Sequence, residues 1–109
     1  MAARPRQEAR LMAQIQFRAK VVTVYNHDDT PAWQYVTVPK LARSHCDMAA
    51  FRKHPKYRGY ANSDLFPAML ERIAREVVGP YSRDLRLDKA PANVTVDASG
   101  FLALVTIEV

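Results

Sequence analysis

The residues best suited to chemistry lie between Phe51 and Tyr60, where the chain reads FRKHPKYRGY. These ten residues carry four fixed positive charges, one histidine and three aromatic rings, and they include no acid. Cationic side chains neutralise phosphates, and aromatic rings stack on bases. The segment, called the basic loop (residues 51–60) from here on, therefore predicts a nucleic-acid contact. The residues expected to make it are Arg52, Lys53, His54, Lys56, Tyr57, Arg58 and Tyr60.

The same composition is also typical of a solvated surface loop, because charge alone gives an attraction that is blind to sequence. The formal charge of +5 is unevenly spread: residues 1–20 carry +4 and residues 40–60 carry +5, with an acidic stretch between them. Since local fields steer association, this pattern favours an acidic partner. We expect nucleic acid to be that partner, with an acidic protein surface as the alternative.

Ser44-His45-Cys46-Asp47 contains every residue type of a nucleophilic triad. Side chains that are neighbours in sequence diverge at the start of a helix, so they cannot form the required geometry. The S-x-x-D spacing instead predicts that Ser44 caps a helix while Asp47 reaches back to its first amides. Two interpretations remain open for Cys46, a small buried side chain or a thiol whose pKa is lowered by the helix N-terminus.

His27-Asp28-Asp29 offers three possible metal ligands on one loop. Asn and Asp in such a cluster more often bond their own backbone in a turn, which is the interpretation we favour. The three glycines stand alone at positions 59, 79 and 100, so no glycine-rich phosphate loop is predicted. We accordingly expect no catalytic residues, no metal site, no cofactor and no enzymatic activity.

Length and composition predict one ordinary globular domain. The chain has 109 residues, of which 49% are hydrophobic and 25% charged, close to the average for such domains. A single cysteine excludes an internal disulfide and agrees with a reducing compartment. No apolar run approaches the roughly 20 residues of a membrane span. We expect a cytoplasmic protein without membrane contact, or a virion component if the source is a phage.

Strand patterns occupy both ends of the domain, which we expect to cover residues 14–109. Residues 14–25 alternate apolar and polar side chains, and 33–38 resume strand propensity after a turn, which predicts a hairpin. Leu85 and Leu87 suit a short edge strand. A second hairpin is predicted over 94–109, with its last strand central in the sheet because it is apolar on both faces. Residues 1–13 are expected to form a basic arm or a short helix.

Three aromatic side chains of the first hairpin, Tyr25, Trp33 and Tyr35, admit two interpretations. They could fill the core, which a small domain needs, or form an exposed recognition surface. We favour the core.

Two helices are predicted in the middle of the chain. The first ends near Lys53, with Met48 and Phe51 inward. The second begins after Asn62-Ser63-Asp64 and presents an apolar stripe through Leu70 and Ile73 before the stop at Gly79-Pro80.

The predicted fold is therefore α+β, an antiparallel sheet of four to five strands in two hairpins with a helical pair packed on one face, in the order (α)ββααββ. Two functions from different classes fit this pattern. The first is a small intracellular non-enzymatic protein that binds nucleic acid through the basic loop. The second is a protein-interaction or assembly subunit, for example a phage virion or accessory protein, that forms homo-oligomers through its sheet edges.

Overall fold

The computed structural model describes residues 13–78 and 84–109, and within them five strands form one open antiparallel sheet accompanied by two α-helices. The fold class is α+β, as predicted. The strands lie side by side in the order β3-β2-β1-β5-β4. In chain order the elements are β1 (Gln14–Tyr25), β2 (Pro31–Thr37), a 3-10 turn (Arg43–His45), α1 (Met48–Lys53), α2 (Phe66–Val78), β3 (Asp84–Arg86), a second 3-10 turn (Leu87–Lys89), β4 (Val94–Ser99) and β5 (Leu102–Glu108).

The long strand β1 organises the sheet. Its first half pairs with β5, from Gln14 opposite Glu108 to Lys20 opposite Leu102. Its second half pairs with β2, beginning with Val21 opposite Val36. The alternation that predicted a strand over 14–25 is confirmed. The prediction that the last strand is central is also confirmed, because β5 lies between β1 and β4.

Alternation along the strands gives the sheet an inner and an outer face. Ile15, Phe17 and Ala19 of β1 are buried, whereas the residues between them are exposed. The buried strand residues belong to one hydrophobic cluster with side chains from both helices. Full burial of such side chains stabilises a fold by about 1.5–3 kcal/mol each. The largest fully buried members are Phe51, Phe66, Ile15, Leu41, Leu70, Leu85, Ile107, Val36 and Val105.

The start of α1 differs from the prediction. Ser44 lies within the first 3-10 turn, and the cap is Asp47, whose carboxylate accepts a hydrogen bond from the Ala50 amide at 3.3 Å. The reason is long-range pairing: Cys46 forms a β-bridge with Ile15, and the Asp47 amide donates to the Gln14 carbonyl at 3.3 Å. An extended Cys46 cannot begin a helix, so α1 starts two residues later.

Several aromatic side chains that were expected in the core lie outside the buried cluster. Tyr25 is 60% exposed, and Trp33 and Tyr35 are half-buried. Phe101 lies in the turn between β4 and β5 and is 87% exposed. The core interpretation of Tyr25, Trp33 and Tyr35 was therefore wrong.

Two other predictions concern parts of the chain outside the described residues. These are the arm or helix over 1–13, of which only Ala13 is described, and the stop at Gly79-Pro80.

Candidate nucleic-acid interface

The basic loop is built by the end of α1 and a series of tight turns. Arg52 and Lys53 form the last turn of α1, and His54 is its C-terminal cap. The ring nitrogen Nδ1 of His54 accepts a hydrogen bond from the Lys56 amide at 3.1 Å, and the His54 carbonyl accepts one from the Arg58 amide at 2.9 Å. Further turn bonds continue from Tyr60 to Ser63. Successive backbone hydrogen bonds therefore define the path of the loop.

Tyr57 attaches the basic loop to the core. Its half-buried ring lies 6.0 Å from the ring of the fully buried Phe51 and 4.7 Å from the imidazole of His54. The ammonium of Lys56 sits 5.3 Å from the Tyr57 ring centroid, within the range of a cation–π contact. Tyr57 is thus engaged on several sides, whereas Tyr60 is 47% exposed.

The four cations of the basic loop point to solvent. Arg52, Lys53, Lys56 and Arg58 are all exposed, and none forms a salt bridge with another described residue. Acidic residues flank the segment only at Asp47, which caps α1, and at Asp64. Since no described carboxylate lies within salt-bridge distance of these side chains, they form a local positive field available to an anion.

A groove of about 510 Å³ separates the basic loop from α2. Its loop side consists of Lys56, Tyr57 and Tyr60. Its other side consists of Leu65, which immediately precedes α2, and of the α2 residues Ala68, Met69, Arg72, Ile73 and Glu76. Arg72 and Glu76 form an exposed salt bridge of 3.3 Å across one turn of α2. The groove is therefore lined by apolar, aromatic and cationic side chains and by one carboxylate, that of Glu76.

Arg43 supports the far end of the loop, a role that the sequence analysis missed. Its guanidinium donates hydrogen bonds to the carbonyls of Ala61, at 3.3 Å, and Ser63, and it lies over the Phe66 ring at 5.5 Å. The acceptors are backbone atoms 18 and 20 residues away. No local sequence signal could have identified partners at that separation.

The structure exposes only some of the predicted site residues to a ligand. Arg52, Lys53, Lys56, Arg58 and Tyr60 are presented to solvent. Tyr57 and His54 are half-buried and hold the segment together. The groove also brings in Arg72 and Leu65, which were not predicted. Leu65, which immediately precedes α2, is 63% exposed beside the groove.

The Ser44–Asp47 cluster is not arranged as a nucleophilic site. Burial raises the pKa of the Cys46 thiol to about 12, so the thiol is protonated at neutral pH. Cys46 is extended and precedes the cap Asp47, so it lies outside the first turn of α1, and the interpretation of Cys46 as a small, partly buried side chain is favoured. The side chain packs against the hydrophobic cluster.

His27-Asp28-Asp29 forms a turn, as favoured. Asp28 Oδ1 accepts hydrogen bonds from the Thr30 hydroxyl at 2.6 Å and the Thr30 amide at 3.2 Å, and these bonds lower the pKa of the carboxyl. Asp29 adopts a positive φ of 65°, which Asp tolerates in turns. The described residues contain no group of three His, Cys, Asp or Glu side chains placed to hold a metal ion.

Neither helix of the described residues is long and apolar enough to cross a membrane. No protein-family model, curated protein or solved structure matches the chain. The basic loop and the groove beside it are therefore the features from which a function can be proposed.

Proposed function

We propose that this protein is a small non-enzymatic binding protein that contacts nucleic acid through the basic loop. The single observation that carries the proposal is the set of four exposed cations, none paired with a described acid, on a loop anchored to the core. An anchored loop loses little conformational entropy on binding, so more of the phosphate attraction is retained as affinity.

The cations supply affinity without sequence selectivity. Neutralising each phosphate releases condensed counterions, which makes the binding depend steeply on salt. Arg52 and Lys53 extend from the end of α1, while Lys56 and Arg58 lie on the turns that follow. The site therefore presents two pairs of cations to a backbone that carries one phosphate per nucleotide.

The exposed ring of Tyr60 supplies a stacking surface for a base. Stacking needs an unpaired base, so the site is better suited to single-stranded nucleic acid than to a duplex. Leu65 and Met69 line the same groove as this ring and can cover the second face of a base. In this proposal Tyr57 is a positioning residue, because its ring is occupied by Phe51, His54 and Lys56.

The test is a triple substitution, Lys53→Ala, Lys56→Ala and Arg58→Ala, measured against mixed-sequence single-stranded DNA and RNA. Removing three phosphate contacts should weaken binding and flatten the plot of log affinity against log salt by roughly two to three units. A matched control removes three exposed cations elsewhere, Lys40, Arg75 and Lys89, and keeps the same net charge. Equal loss in both variants would mean that net charge, and not this loop, is responsible, and would contradict the proposal.

The second candidate function is that of an assembly subunit, and it is favoured by strand β4. Strand β4 ends the sheet, and among the described residues it pairs only with β5. An unpaired edge can accept a strand from another chain. If this candidate is right, Val96→Pro in β4 should reduce assembly while leaving nucleic-acid affinity unchanged.

A further inference from the structure

The outer face of the sheet carries apolar side chains that no described element covers. On β5, Leu102 is 55% exposed and Leu104 is 38% exposed, and Phe101 projects from the adjoining turn. These side chains point away from the buried cluster, which takes the alternate residues Ala103 and Val105. An apolar patch of this kind on a sheet is typical of an interaction surface.

The charges beside this patch follow a definite order. Across the three strands β1, β5 and β4, Arg18 is opposite Leu104, and Leu104 is opposite Asp97. One row of the sheet therefore carries a cation, an apolar side chain and an anion. Neither Arg18 nor Asp97 forms a salt bridge with another described residue. The next row, Lys20, Leu102 and Ser99, repeats the central leucine.

We propose that this face binds a second copy of the same chain, giving a two-fold symmetric dimer packed sheet against sheet. A two-fold axis that runs parallel to the strands above β5 places the row of Arg18, Leu104 and Asp97 over the same row of the partner in reverse order. Leu104 then meets the partner's Leu104, and Arg18 lies over the partner's Asp97, twice in each dimer. An axis across the strands would instead place Arg18 over Arg18, so the charge order selects the first arrangement.

The distance between facing sheets agrees with this pairing. Facing sheets pack about 10 Å apart, a gap that a long Arg side chain and a short Asp side chain fill together. The same axis brings the two copies of Glu108, four residues from Leu104, toward each other. Because packed sheets cross at about 30°, these two side chains lie roughly 7 Å apart sideways, which relieves their repulsion. The face of three strands measures roughly 14 by 23 Å, or about 320 Å² per copy, which is below the roughly 800 Å² per partner of a standard interface, so association should be weak and depend on concentration.

This dimer is separate from the proposed nucleic-acid site. The basic loop is attached to the buried cluster on the inner side of the sheet through Phe51 and Tyr57. The outer face can therefore associate while both loops remain accessible. Two linked loops would bind one long nucleic acid more tightly than either alone.

Analytical ultracentrifugation of the full chain and of charge-reversed variants tests the proposal. Arg18→Asp alone places acid over acid, and Asp97→Arg alone places base over base, so each should weaken the dimer about tenfold or more. When the two variants are mixed, the acid introduced at position 18 of one chain faces the base introduced at position 97 of the other. The second contact of that mixed dimer keeps its native pair of Arg18 and Asp97. The mixture should therefore dimerise although neither variant does so alone. Arg75→Asp on α2, a charge reversal away from this face, should leave the dimer intact.

Three results would overturn the proposal. The first is a wild-type chain that is monomeric up to about 1 mM, which would assign the face to a different partner. The second is a dimer that survives Leu104→Lys, in a variant whose circular dichroism shows it folded, which would place the interface elsewhere, such as at the β4 edge. The third is failure of the mixed variants to associate, which would exclude the two-fold pairing of Arg18 with Asp97.

Discussion

The ring of Tyr57 packs against the ring of Phe51, with centroids 6.0 Å apart and planes inclined at 49°. Phe51 is fully buried and in turn meets Phe66 of α2 edge to face at 5.2 Å. A chain of three aromatic rings thus connects the basic loop to the helix that forms the other wall of the groove. The positions of the four cations follow from this core contact and not from the loop alone.

Substitution should distinguish the roles of the two tyrosines of the basic loop, one in stability and the other in nucleic-acid affinity. Tyr57→Ala removes a half-buried ring from the cluster and should cost about 1–3 kcal/mol of stability. Tyr60→Ala should leave stability nearly unchanged but reduce affinity for single-stranded nucleic acid by about 1–3 kcal/mol, the value of one base stack. Urea denaturation and binding titrations measure both effects. The opposite pattern, with Tyr60 needed for stability and Tyr57 for affinity alone, would contradict the assigned roles.

Leu70 of α2 and Leu65, which immediately precedes that helix, provide a matched pair of truncations. Leu70 is fully buried, so Leu70→Ala should lower the free energy of unfolding by about 2–5 kcal/mol through lost burial and a residual cavity. Leu65→Ala removes the same atoms from a side chain that is 63% exposed, and should change stability by less than about 0.5 kcal/mol. Equal denaturation midpoints for the two variants would show that the described packing of α2 is incorrect.

Local pattern predicted much of the sheet. The alternation of Ile15, Phe17 and Ala19 with polar residues located β1, because a strand with one buried face must repeat every two residues. The apolar run toward Val105 and Ile107 placed β5 in the middle of the sheet. Both signals are carried by the residues of the strand itself.

The sequence-based predictions were wrong where residues far apart in the chain determine the local structure. Asp47 rather than Ser44 caps α1, because Ile15 holds Cys46 extended. Trp33 and Tyr35 lie on the outer face instead of in the core, since a strand's periodicity does not say which of its faces the helices cover. The support that Arg43 gives to the loop depends on backbone acceptors far along the chain. Burial of Cys46 likewise depends on the whole fold.

Cys46 should react slowly with alkylating reagents in the folded protein. Because burial raises the pKa of its thiol to about 12, the thiolate fraction at pH 8 is very small. We expect alkylation by iodoacetamide to be at least about a hundredfold slower than in the urea-unfolded chain, where the thiol has its ordinary pKa of about 8.5. Reaction of folded and unfolded protein at similar rates would contradict the burial of this side chain.

The carboxyl of Asp28 should titrate below the usual range for aspartate. The Thr30 hydroxyl is the largest cause of the lowered pKa, and the Thr30 amide is the second. Because the folded pKa is depressed, the stabilisation from these bonds is present above the unfolded pKa and is lost as the pH falls through the folded pKa.

Thr30→Val, which removes the hydroxyl and keeps the shape, should raise the pKa of Asp28 in an NMR titration. An unchanged pKa of Asp28 in the variant would show that the hydroxyl contact at 2.6 Å does not persist in solution.

The most direct test of the central claim is a salt titration of the wild-type protein with mixed-sequence single-stranded DNA and RNA. If the four cations of the basic loop contact phosphates, log affinity should fall linearly with log salt, with a slope of about 3 for four contacts on a single strand. Detectable binding near 50 mM salt with that slope is the predicted result. The contradicting result is no salt-dependent binding to either nucleic acid at that concentration, which would leave the basic loop without its proposed ligand.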